Sequence, residues 1–320
     1  MVGGGVVRFG YHASHEQFAP SELLELVRYA EQAGFTSAKS SDHFHPWSEA
    51  QGQSGFAWSW LGAAMQATNL PFGMISAPGY RYHPAVLAQA ATTIGEMFSD
   101  RLWLSLGSGE AINEAMTGMP WPEKAERNAR LRECVDVTRA LFAGETVTHR
   151  GRVTVVEARL YSRPARPVPL YGAAVSEETA RFCGGWADGL LTVGGDLEAV
   201  RRVIAAFHEG GGEHKPVVLQ AAFSWADNEA DAMGHAMDQW RACVIGGEVN
   251  WDLRRPADFD LLGQAITPDY LRTKLPITTS ISWLRDWLES FAELGVEDIY
   301  LHQVGRNQRA FIDAFAQVSR

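Results

Sequence analysis

The chain has 320 residues, of which 46% are apolar and 21% are charged, a composition typical of a globular protein with a large core. A net charge of −10 argues against nucleic acids and anionic membrane surfaces as partners. Three widely spaced cysteines, Cys134, Cys183 and Cys243, favour reduced thiols in a cytoplasmic protein over a disulfide framework.

Short apolar runs alternate with helical patterns along the first half of the chain. Runs bounded by glycine, proline and polar clusters predict strands, and apolar residues spaced three and four apart predict amphipathic helices. In chain order the predicted elements are a strand at Val6–Tyr11, a helix at Pro20–Gly34, a strand at Phe35–Lys39, a helix at Phe56–Thr68, a strand at Pro71–Ala77, a helix at Pro84–Phe98, a strand at Arg101–Gly107 and a helix at Glu123–Ala143.

Two insertions interrupt the alternation in the second half. Alternating polar and apolar residues predict an antiparallel hairpin at Thr146–Tyr161, within residues 144–162, and the weakly periodic stretch Gly246–Pro276 predicts an insertion near the mouth of the sheet. The other elements are strands at Val168–Ala173, Gly189–Val193, Val217–Trp225 and Ile299–Gln303 and helices at Glu177–Trp186, Leu197–Glu209, Asn228–Val244, Ser282–Gly295 and Gln308–Val318.

The order of these elements predicts an α/β fold. Eight strands, nearly all followed by a helix, require parallel pairing and crossover helices. A (β/α)8 TIM barrel is the natural closure at this length, and an open doubly wound sheet is the alternative. Because no break in composition divides the sequence, we expect a single domain over residues 1–320.

The segment Asp42–Trp47 follows the second predicted strand and carries an acid, two imidazoles and an indole. Catalytic groups of α/β folds lie at the C-terminal ends of strands. His43 could act as a general base because imidazole titrates near neutrality. Asp42 could orient a ligand, and Trp47 could stack on a ring or a developing cation. The alternative is a strand-end loop with a capping aspartate and partly buried aromatic residues.

A second candidate segment ends the fourth predicted strand. The small residues Gly107, Ser108 and Gly109 let a ligand approach the backbone closely. Glu110 then stands at a strand end as a candidate acid or base, with Asn113 on the same side if the segment is helical. A tight turn with a solvated glutamate is the alternative.

The third and fifth predicted strands also end in small or apolar residues. They are Met74, Ile75 and Ser76 on the third strand, and Ala173, Ala174, Val175 and Ser176 on the fifth. The third-strand end suits a flat ring, although plain barrel wall explains it equally well. Ser176 could cap the following helix or hold a phosphate at its N-terminus. Glu177 and Glu178 in the first turn favour the cap, because they would repel an anion.

Several histidines suggest a different class of protein, a metal-dependent barrel hydrolase. His12 and His15 follow the first predicted strand and could join His43 and His45 as ligands. A carboxylate on a late strand would also be needed, but Asp188 precedes its strand. The sequence therefore favours a site without a metal.

Longer motifs resemble the bacterial luciferase-like superfamily, and within it the branch of F420-dependent glucose-6-phosphate dehydrogenases. The motifs are Gly10–Ser14, Glu16–Pro20, Ser41–Phe44 with Pro46–Trp47, Arg81–Val86, Gly107–Glu114 and Glu126–Leu131. The resemblance implies a luciferase-like (β/α)8 barrel that binds a flavin-type ring at its C-terminal mouth, acts on a small molecule and forms a homodimer.

The same resemblance implies roles for individual residues. His43 would take the substrate hydroxyl proton, Glu110 would be the acid or proton partner near the ring, and Trp47 would form an aromatic lid. A non-prolyl cis peptide, which costs about 3 kcal/mol, would support the ring near Met74–Ser76. The implied cofactor contacts are Asp42, Asn113 and the backbone of Gly107–Glu110.

One departure from the family pattern concerns the substrate. The sugar-phosphate dehydrogenases hold the substrate phosphate with basic residues at three places. These places align here with Asp196, Asn250 and the stretch Arg272–Lys274, so only the last keeps basic character. Because Asp196 would repel a phosphate dianion, we expect a substrate other than glucose 6-phosphate.

A second departure concerns the cofactor. The Gly-Gly-Pro-like turn of the family is here Val175-Ser176-Glu177, which weakens the case for the phosphodiester of F420. The chain is similar to relatives that have reverted from F420 to FMN, so the cofactor is FMN or F420 with a slight preference for FMN. The sequence predicts an oxidoreductase that transfers a hydride at an oxygen-bearing carbon of a small organic substrate. An FMN-dependent monooxygenase and a catalytically silent flavin-binding protein are the alternatives.

Overall fold

A computed structural model describes residues 7–318. Its strands are β1 (Arg8–Ala13), β2 (Ser37–Ser40), β3 (Phe72–Ser76), β4 (Leu102–Leu106), β5 (Val147–Arg150), β6 (Thr154–Ala158), β7 (Leu170–Ala173), β8 (Gly189–Gly194), β9 (Val217–Trp225), β10 (Ile277–Thr278) and β11 (Val296–Gln303). Parallel pairing runs in the order β9-β11-β1-β2-β3-β4-β7-β8, and β8 pairs with β9 to close the ring. The predicted (β/α)8 barrel is therefore confirmed.

Helices connect the strands and cover the outside of the barrel. They are α1 (Pro20–Ala33), α2 (Ala57–Ala67), α3 (Pro84–Met97), α4 (Ala111–Glu114), α5 (Lys124–Ala143), α6 (Glu177–Gly184), α7 (Leu197–Phe207), α8 (Glu229–Gln239), α9 (Pro256–Gly263), α10 (Pro268–Arg272), α11 (Ile281–Glu289) and α12 (Gln308–Val318). None of the helices within residues 7–318 is long and apolar enough to span a bilayer.

Large rings fill the lower interior of the barrel. Trp103, Tyr171 and Tyr300 come from three strands, with centroids of 4.8 Å for Trp103–Tyr171 and 5.8 Å for Trp103–Tyr300. Glycines on neighbouring strands make room for them. A Cβ at Gly73 would lie 2.1 Å from the Trp103 ring, and a Cβ at Gly10 would lie 2.6 Å from the Tyr300 ring. Space for a ligand therefore lies above these rings, towards the C-terminal ends of the strands.

Both predicted insertions are present, and one contains more regular structure than expected. β5 and β6 pair antiparallel, with Val147 opposite Ala158. The stretch of residues 246–276 contains α9 and α10, and it leads into β10, which the sequence reading missed. β10 pairs with the end of β9 through Ile277 and Ser224.

Two element boundaries differ from the sequence prediction in ways that affect the site. β1 continues to Ala13, so His12 lies inside the strand and not after it; Val6, where the predicted strand began, lies outside the described residues. The predicted helix Asn228–Val244 ends at Gln239, because Trp240 leaves helical geometry with φ −129°. The Trp240 ring packs against His302 at a centroid distance of 4.7 Å.

The expected cis peptide near Met74–Ser76 is not found, since every peptide bond of the described chain is trans. The backbone of β3 is extended, and it pairs with β4 in an unbroken parallel register from Phe72 to Ser76. The side chain of Met74 is fully buried in the main hydrophobic core. Strand alternation turns Met74 away from the barrel interior that Ile75 faces.

Candidate active site

A cavity of about 430 Å³ opens at the C-terminal ends of the barrel strands. All predicted site residues except Met74 line it. They are Asp42, His43, Trp47, Ile75, Ser76, Gly107, Ser108, Gly109, Glu110, Asn113, Ala173, Ala174, Val175 and Ser176. Met74, which was also predicted to contact the cofactor, has its side chain in the hydrophobic core and does not line the cavity.

The cavity has two chemically different walls. The small-residue wall comes from β3, the end of β4 and the end of β7, and the polar wall comes from β1, β2, β9, β11 and the loop after β1. We define the small-residue wall as Ile75, Ala77, Gly107, Ala173 and Ala174, and the polar wall as His12, Glu16, Lys39, Gln220 and His302.

His43 stands between the two walls and faces two carboxylates. Its Nε2 lies 3.2 Å from Glu16 Oε1 and 3.9 Å from Glu110 Oε2. On the other side of the ring, Nδ1 lies 3.2 Å from Asn113 Nδ2 and 3.3 Å from the carbonyl oxygen of His45. A neutral ring protonated on Nδ1 can donate to the His45 carbonyl and leaves the Nε2 lone pair free to take a proton, and the imidazolium formed then can donate from Nε2 to Glu16. The surroundings therefore provide partners for both protonation states.

The amide of Asn113 has a defined orientation. Its Oδ1 accepts a hydrogen bond from the backbone N–H of Phe44 at 2.9 Å, so its Nδ2 faces His43 and Glu110. The predicted grouping of His43, Glu110 and Asn113 is therefore seen in the structure.

Glu16 is the buried anion behind His43. Its Oε2 accepts hydrogen bonds of 2.8 Å from Ser14 and 2.8 Å from Ser41. Burial by itself would raise the pKa of Glu16, but the proximity of His43 and the hydrogen bonds outweigh burial and lower that pKa to about 2. Glu16 is therefore a fixed negative charge, able to stabilise His43 when that ring holds a proton.

Glu110 behaves differently from Glu16. Burial raises the pKa of Glu110, and the nearby charge of Glu16 raises it further, while His43 and the 3.2 Å hydrogen bond from Asn113 lower it. Two carboxyl groups with opposite pKa shifts around one imidazole can divide the roles of anion and acid between them.

Asp42 holds the ends of two strands together. Its carboxylate accepts from Ser76 Oγ at 2.5 Å and from the Tyr82 hydroxyl at 3.0 Å, and it lies 3.2 Å from the Arg81 guanidinium. The backbone N–H of Arg81 also donates to Glu114 at 2.8 Å. Burial raises the pKa of Glu114 to about 7 despite the proximity of Arg81. Asp42 thus lines the cavity with its carboxylate already engaged by protein groups.

Trp47 packs between the site and the long insertion. Its ring centroid lies 5.1 Å from that of His43 and 5.2 Å from that of Phe259 in α9. Asn250 and Trp251 of the same insertion also line the cavity. The insertion therefore lies at the cavity mouth, as the sequence predicted.

A basic corner of the cavity was missed by the sequence reading. Lys124 and Arg127, at the start of α5, line the cavity near the N-terminus of α6. The Lys124 ammonium lies 3.4 Å from Ser176 Oγ, which also caps α6 through the N–H of Thr179. Lys124 at this helix N-terminus, with Arg127 on the next turn of α5 lining the same cavity, forms an arrangement that can bind an anion despite the glutamates that follow.

None of the three places that align with phosphate-binding cations puts a cation in the cavity. Asp196 is an exposed N-cap of α7 that accepts from the N–H of Ala199 at 2.8 Å, so it neither binds nor repels a cavity ligand. Asn250 lines the cavity but is uncharged. Arg272 pairs with Glu229 at 2.6 Å, outside the cavity. Asp196 is therefore not placed to repel a ligand in the cavity, and none of these three positions supplies a cation for a sugar phosphate.

The histidines do not assemble as metal ligands. His45 Nδ1 lies 2.8 Å from the carbonyl of Ile112, and His15 Nε2 lies 2.8 Å from Ser40 Oγ. Within residues 7–318 there is no group of three or more His, Cys, Asp or Glu side chains placed to hold a metal. The hydrolase alternative thus finds no support in these contacts.

Comparison with known proteins identifies the fold family. A sequence model described as luciferase-like monooxygenase matches residues 6–298. The chain belongs to the luciferase-like monooxygenase family. This membership confirms the predicted resemblance and the prediction of a luciferase-like oxidoreductase.

Relatives of this luciferase-like protein cover nearly its full length. The F420-dependent glucose-6-phosphate dehydrogenase of Beutenbergia cavernae is 33% identical over 98% of this chain and 96% of its own length. That of Intrasporangium calvum is 32% identical over 97% of each chain. The structure of an F420-dependent secondary alcohol dehydrogenase with an F420-acetone adduct has a TM-score of 0.92 and 30% identity, with 98% of each chain covered. The EDTA monooxygenase of Chelativorans sp. BNC1, 12% identical over 98% of this chain and 93% of its own with a TM-score of 0.71, shares the fold.

Proposed function

We propose that this luciferase-like protein is an F420-dependent dehydrogenase of a small alcohol other than glucose 6-phosphate. The observation that carries the proposal is the position of His43, with Nε2 3.2 Å from the fixed anion Glu16 and facing a cavity whose opposite wall is made of small residues. That arrangement suits removal of a hydroxyl proton beside a flat ring.

The small-residue wall fits a planar cofactor. Gly107 leaves the space beside Ala173 open, since a Cβ there would stand 3.6 Å from that of Ala173. Gly109 has φ +84°, and a Cβ at this position would lie 2.9 Å from Glu114 Cγ. Only glycine fits that backbone easily, so the chain passes close to the cavity without a side chain.

The basic corner supports a cofactor that carries a phosphate group. Lys124, Arg127, Ser176 and the N-terminus of α6 would hold the anionic tail, with the ring against the small-residue wall. The relatives reported above at 30–33% identity are named for F420, which supports F420 over the slight preference for FMN drawn from the sequence.

Residues around the substrate carbon have complementary tasks in this proposal. Bound F420 would supply the acceptor for the hydride that leaves the carbon atom bearing the hydroxyl group. His43 Nε2 would take the hydroxyl proton, and Glu16 would stabilise the resulting imidazolium. Glu110, whose pKa is raised by burial, would hold a proton at the edge of the cavity. Trp47 would exclude water from the reacting atoms.

Cofactor reduction tests the proposal. Purified protein is mixed with oxidised F420 and, separately, with secondary alcohols of three to six carbons, with and without a carboxylate, and with glucose 6-phosphate. We expect loss of the absorbance of oxidised F420 with at least one alcohol and none with glucose 6-phosphate. Binding of FMN but not F420, with incorporation of an oxygen atom from O2 into the product, would instead establish a monooxygenase and overturn the proposal.

A further inference from the structure

The floor of the cavity, which we define as His12, Lys39 and His302 of the polar wall, contains a buried lysine. Lys39 lies on β2, is 1% exposed and lines the cavity. Among residues 7–318, no hydrogen bond or ion pair joins its ammonium group to another residue. Buried lysines are rare without a partner, because burial of an unpaired charge is costly. Such a group is expected where a ligand supplies the missing charge.

A second unsatisfied polar group adjoins this lysine. His12 faces Lys39 across the β1–β2 register, and its Nδ1 is buried without a hydrogen-bond partner. Its neighbour His302, 4.2 Å away between ring centroids, is by contrast fully engaged. His302 Nδ1 lies 3.1 Å from Gln220 Nε2, and its Nε2 lies 3.0 Å from Gln17 Oε1. Within residues 7–318, Lys39 and His12 Nδ1 are therefore two adjacent cavity-lining groups that no protein group satisfies.

We propose that Lys39 and His12 form a subsite for a carboxylate of the substrate. The substrate class is then a small hydroxy acid, whose hydroxyl-bearing carbon lies at His43 while its carboxylate lies at the floor. This inference rests on the proposed function, because it assigns the cofactor to the small-residue wall and the substrate to the polar wall.

The charges around the subsite are compatible with an anion. Glu16 is the carboxylate whose field reaches Lys39, and it is engaged by Ser14, Ser41 and His43. The pKa values of the two adjacent imidazoles, His12 and His302, are lowered mainly by burial, so both rings stay neutral. β3 contributes only Gly73 beside Lys39, and that residue carries no charge.

The protonation behaviour of Lys39 supports the same conclusion. Burial lowers its pKa to about 7, and Glu16 only partly opposes that shift. A bound carboxylate would favour the charged ammonium, so binding near neutral pH would take up a proton. The basic corner of Lys124 and Arg127 is separate from this floor and already accounts for the cofactor's anionic tail.

Calorimetric titration of an isosteric pair tests the subsite. Protein saturated with oxidised F420 is titrated with propionate and with propionamide, which differ in charge but hardly in shape. Wild type is compared with Lys39→Met and with Lys274→Met, a matched loss of one lysine that is exposed and does not line the cavity. Titrations in two buffers of different ionisation enthalpy measure proton uptake.

We expect wild type to bind propionate at least ten-fold more tightly than propionamide, with proton uptake near pH 7. Lys39→Met should abolish both the preference and the uptake, whereas Lys274→Met should retain them. Equal binding of the two probes by wild type would overturn the inference without requiring any variant. Weakened F420 binding in Lys39→Met, with the propionate preference intact, would assign Lys39 to the cofactor and also overturn it.

The experiment separates this inference from the function on which it rests. If F420 fails to bind to wild type, the proposed function fails at the saturation step. If F420 binds and the carboxylate preference is missing, only the subsite is wrong.

Discussion

The two walls of the cavity are built by opposite means. The small-residue wall lacks large side chains, so Gly107, Ala173 and Ala174 leave a flat space at the strand ends. The polar wall is filled with groups that need partners, and most of them find these inside the protein. Within residues 7–318, the Lys39 ammonium and His12 Nδ1 find no hydrogen-bond partner. Under the proposed function, the shape of the small-residue wall would select the cofactor and the unsatisfied groups of the polar wall would select the substrate.

The largest effect is expected where the walls meet. His43→Ala should lower kcat about 10²- to 10⁴-fold, the usual contribution of a general base, and leave the Kd of F420 nearly unchanged. His45→Ala is the matched control, because His45 bonds to the Ile112 carbonyl and lies outside the proton path. Steady-state kinetics and cofactor titration measure both effects. Turnover that survives in His43→Ala would refute the base assignment.

The ion pair between Asp42 and Arg81 is expected to stabilise the fold. Arg81→Met leaves the buried carboxylate of Asp42 without its cation and should cost about 3–5 kcal/mol of unfolding free energy. Arg166→Met removes an exposed ion pair with Asp100 and should cost no more than about 1 kcal/mol. Urea denaturation followed by circular dichroism measures both losses. Equal losses would mean that the Asp42–Arg81 contact does not hold the strand ends together.

Lys39 should destabilise the ligand-free protein. Its pKa falls from 10.5 in the unfolded chain to about 7 in the folded protein, so the unfolded state binds more protons between these values. The resulting penalty is fully present below about pH 7 and disappears as pH rises towards 10.5. Lys39→Met should therefore be more stable than wild type by on the order of 2–4 kcal/mol at pH 7.

The comparison of the two proteins across pH provides the check on that prediction. The advantage of Lys39→Met, measured as unfolding free energy in urea, should shrink steadily from pH 7 to pH 10. A constant difference over this range would show that Lys39 is not buried as a desolvated amine. A lower stability of the variant at pH 7 would have the same meaning.

The smallest effect is expected outside both walls. Asp196→Ala removes the N-cap of α7 and should cost about 1 kcal/mol of stability. Because Asp196 is exposed and does not line the cavity, kcat/KM for the substrate and for glucose 6-phosphate should not change. A gain of activity on glucose 6-phosphate in Asp196→Ala would show that Asp196 does repel the substrate phosphate, as the sequence predicted.

Much of the small-residue wall could be predicted from sequence, because its residues follow strands that are visible as apolar runs. Gly107, Ala173 and Ser176 lie where the periodicity ends, and such positions meet at one edge of a parallel barrel. Met74 was included because we predicted a continuous range of residues at the end of this strand. Strand alternation sends neighbouring side chains to opposite faces, and it places Met74 in the core.

The polar wall was largely hidden in the sequence. Lys39 ends the predicted strand Phe35–Lys39, where a lysine at a strand end looks solvent-exposed. Its burial follows from the register of β2 between β1 and β3, which a single sequence does not give. The available signal was the spacing: Lys39 lies two residues before Ser41, so the two side chains share the face of the strand that points into the barrel. Lys124 and Arg127 were missed because a helix start, remote from any strand end, brings them to the cavity.

Titration of F420 fluorescence with wild type, Lys124→Met and Lys39→Met tests the division of the cavity most directly. We predict saturable binding to wild type with one cofactor per chain, about ten-fold weaker binding to Lys124→Met through the lost contact with the anionic tail, and unchanged binding to Lys39→Met. Failure of wild type to bind F420 would contradict the account, as would a loss of affinity caused by Lys39→Met and not by Lys124→Met.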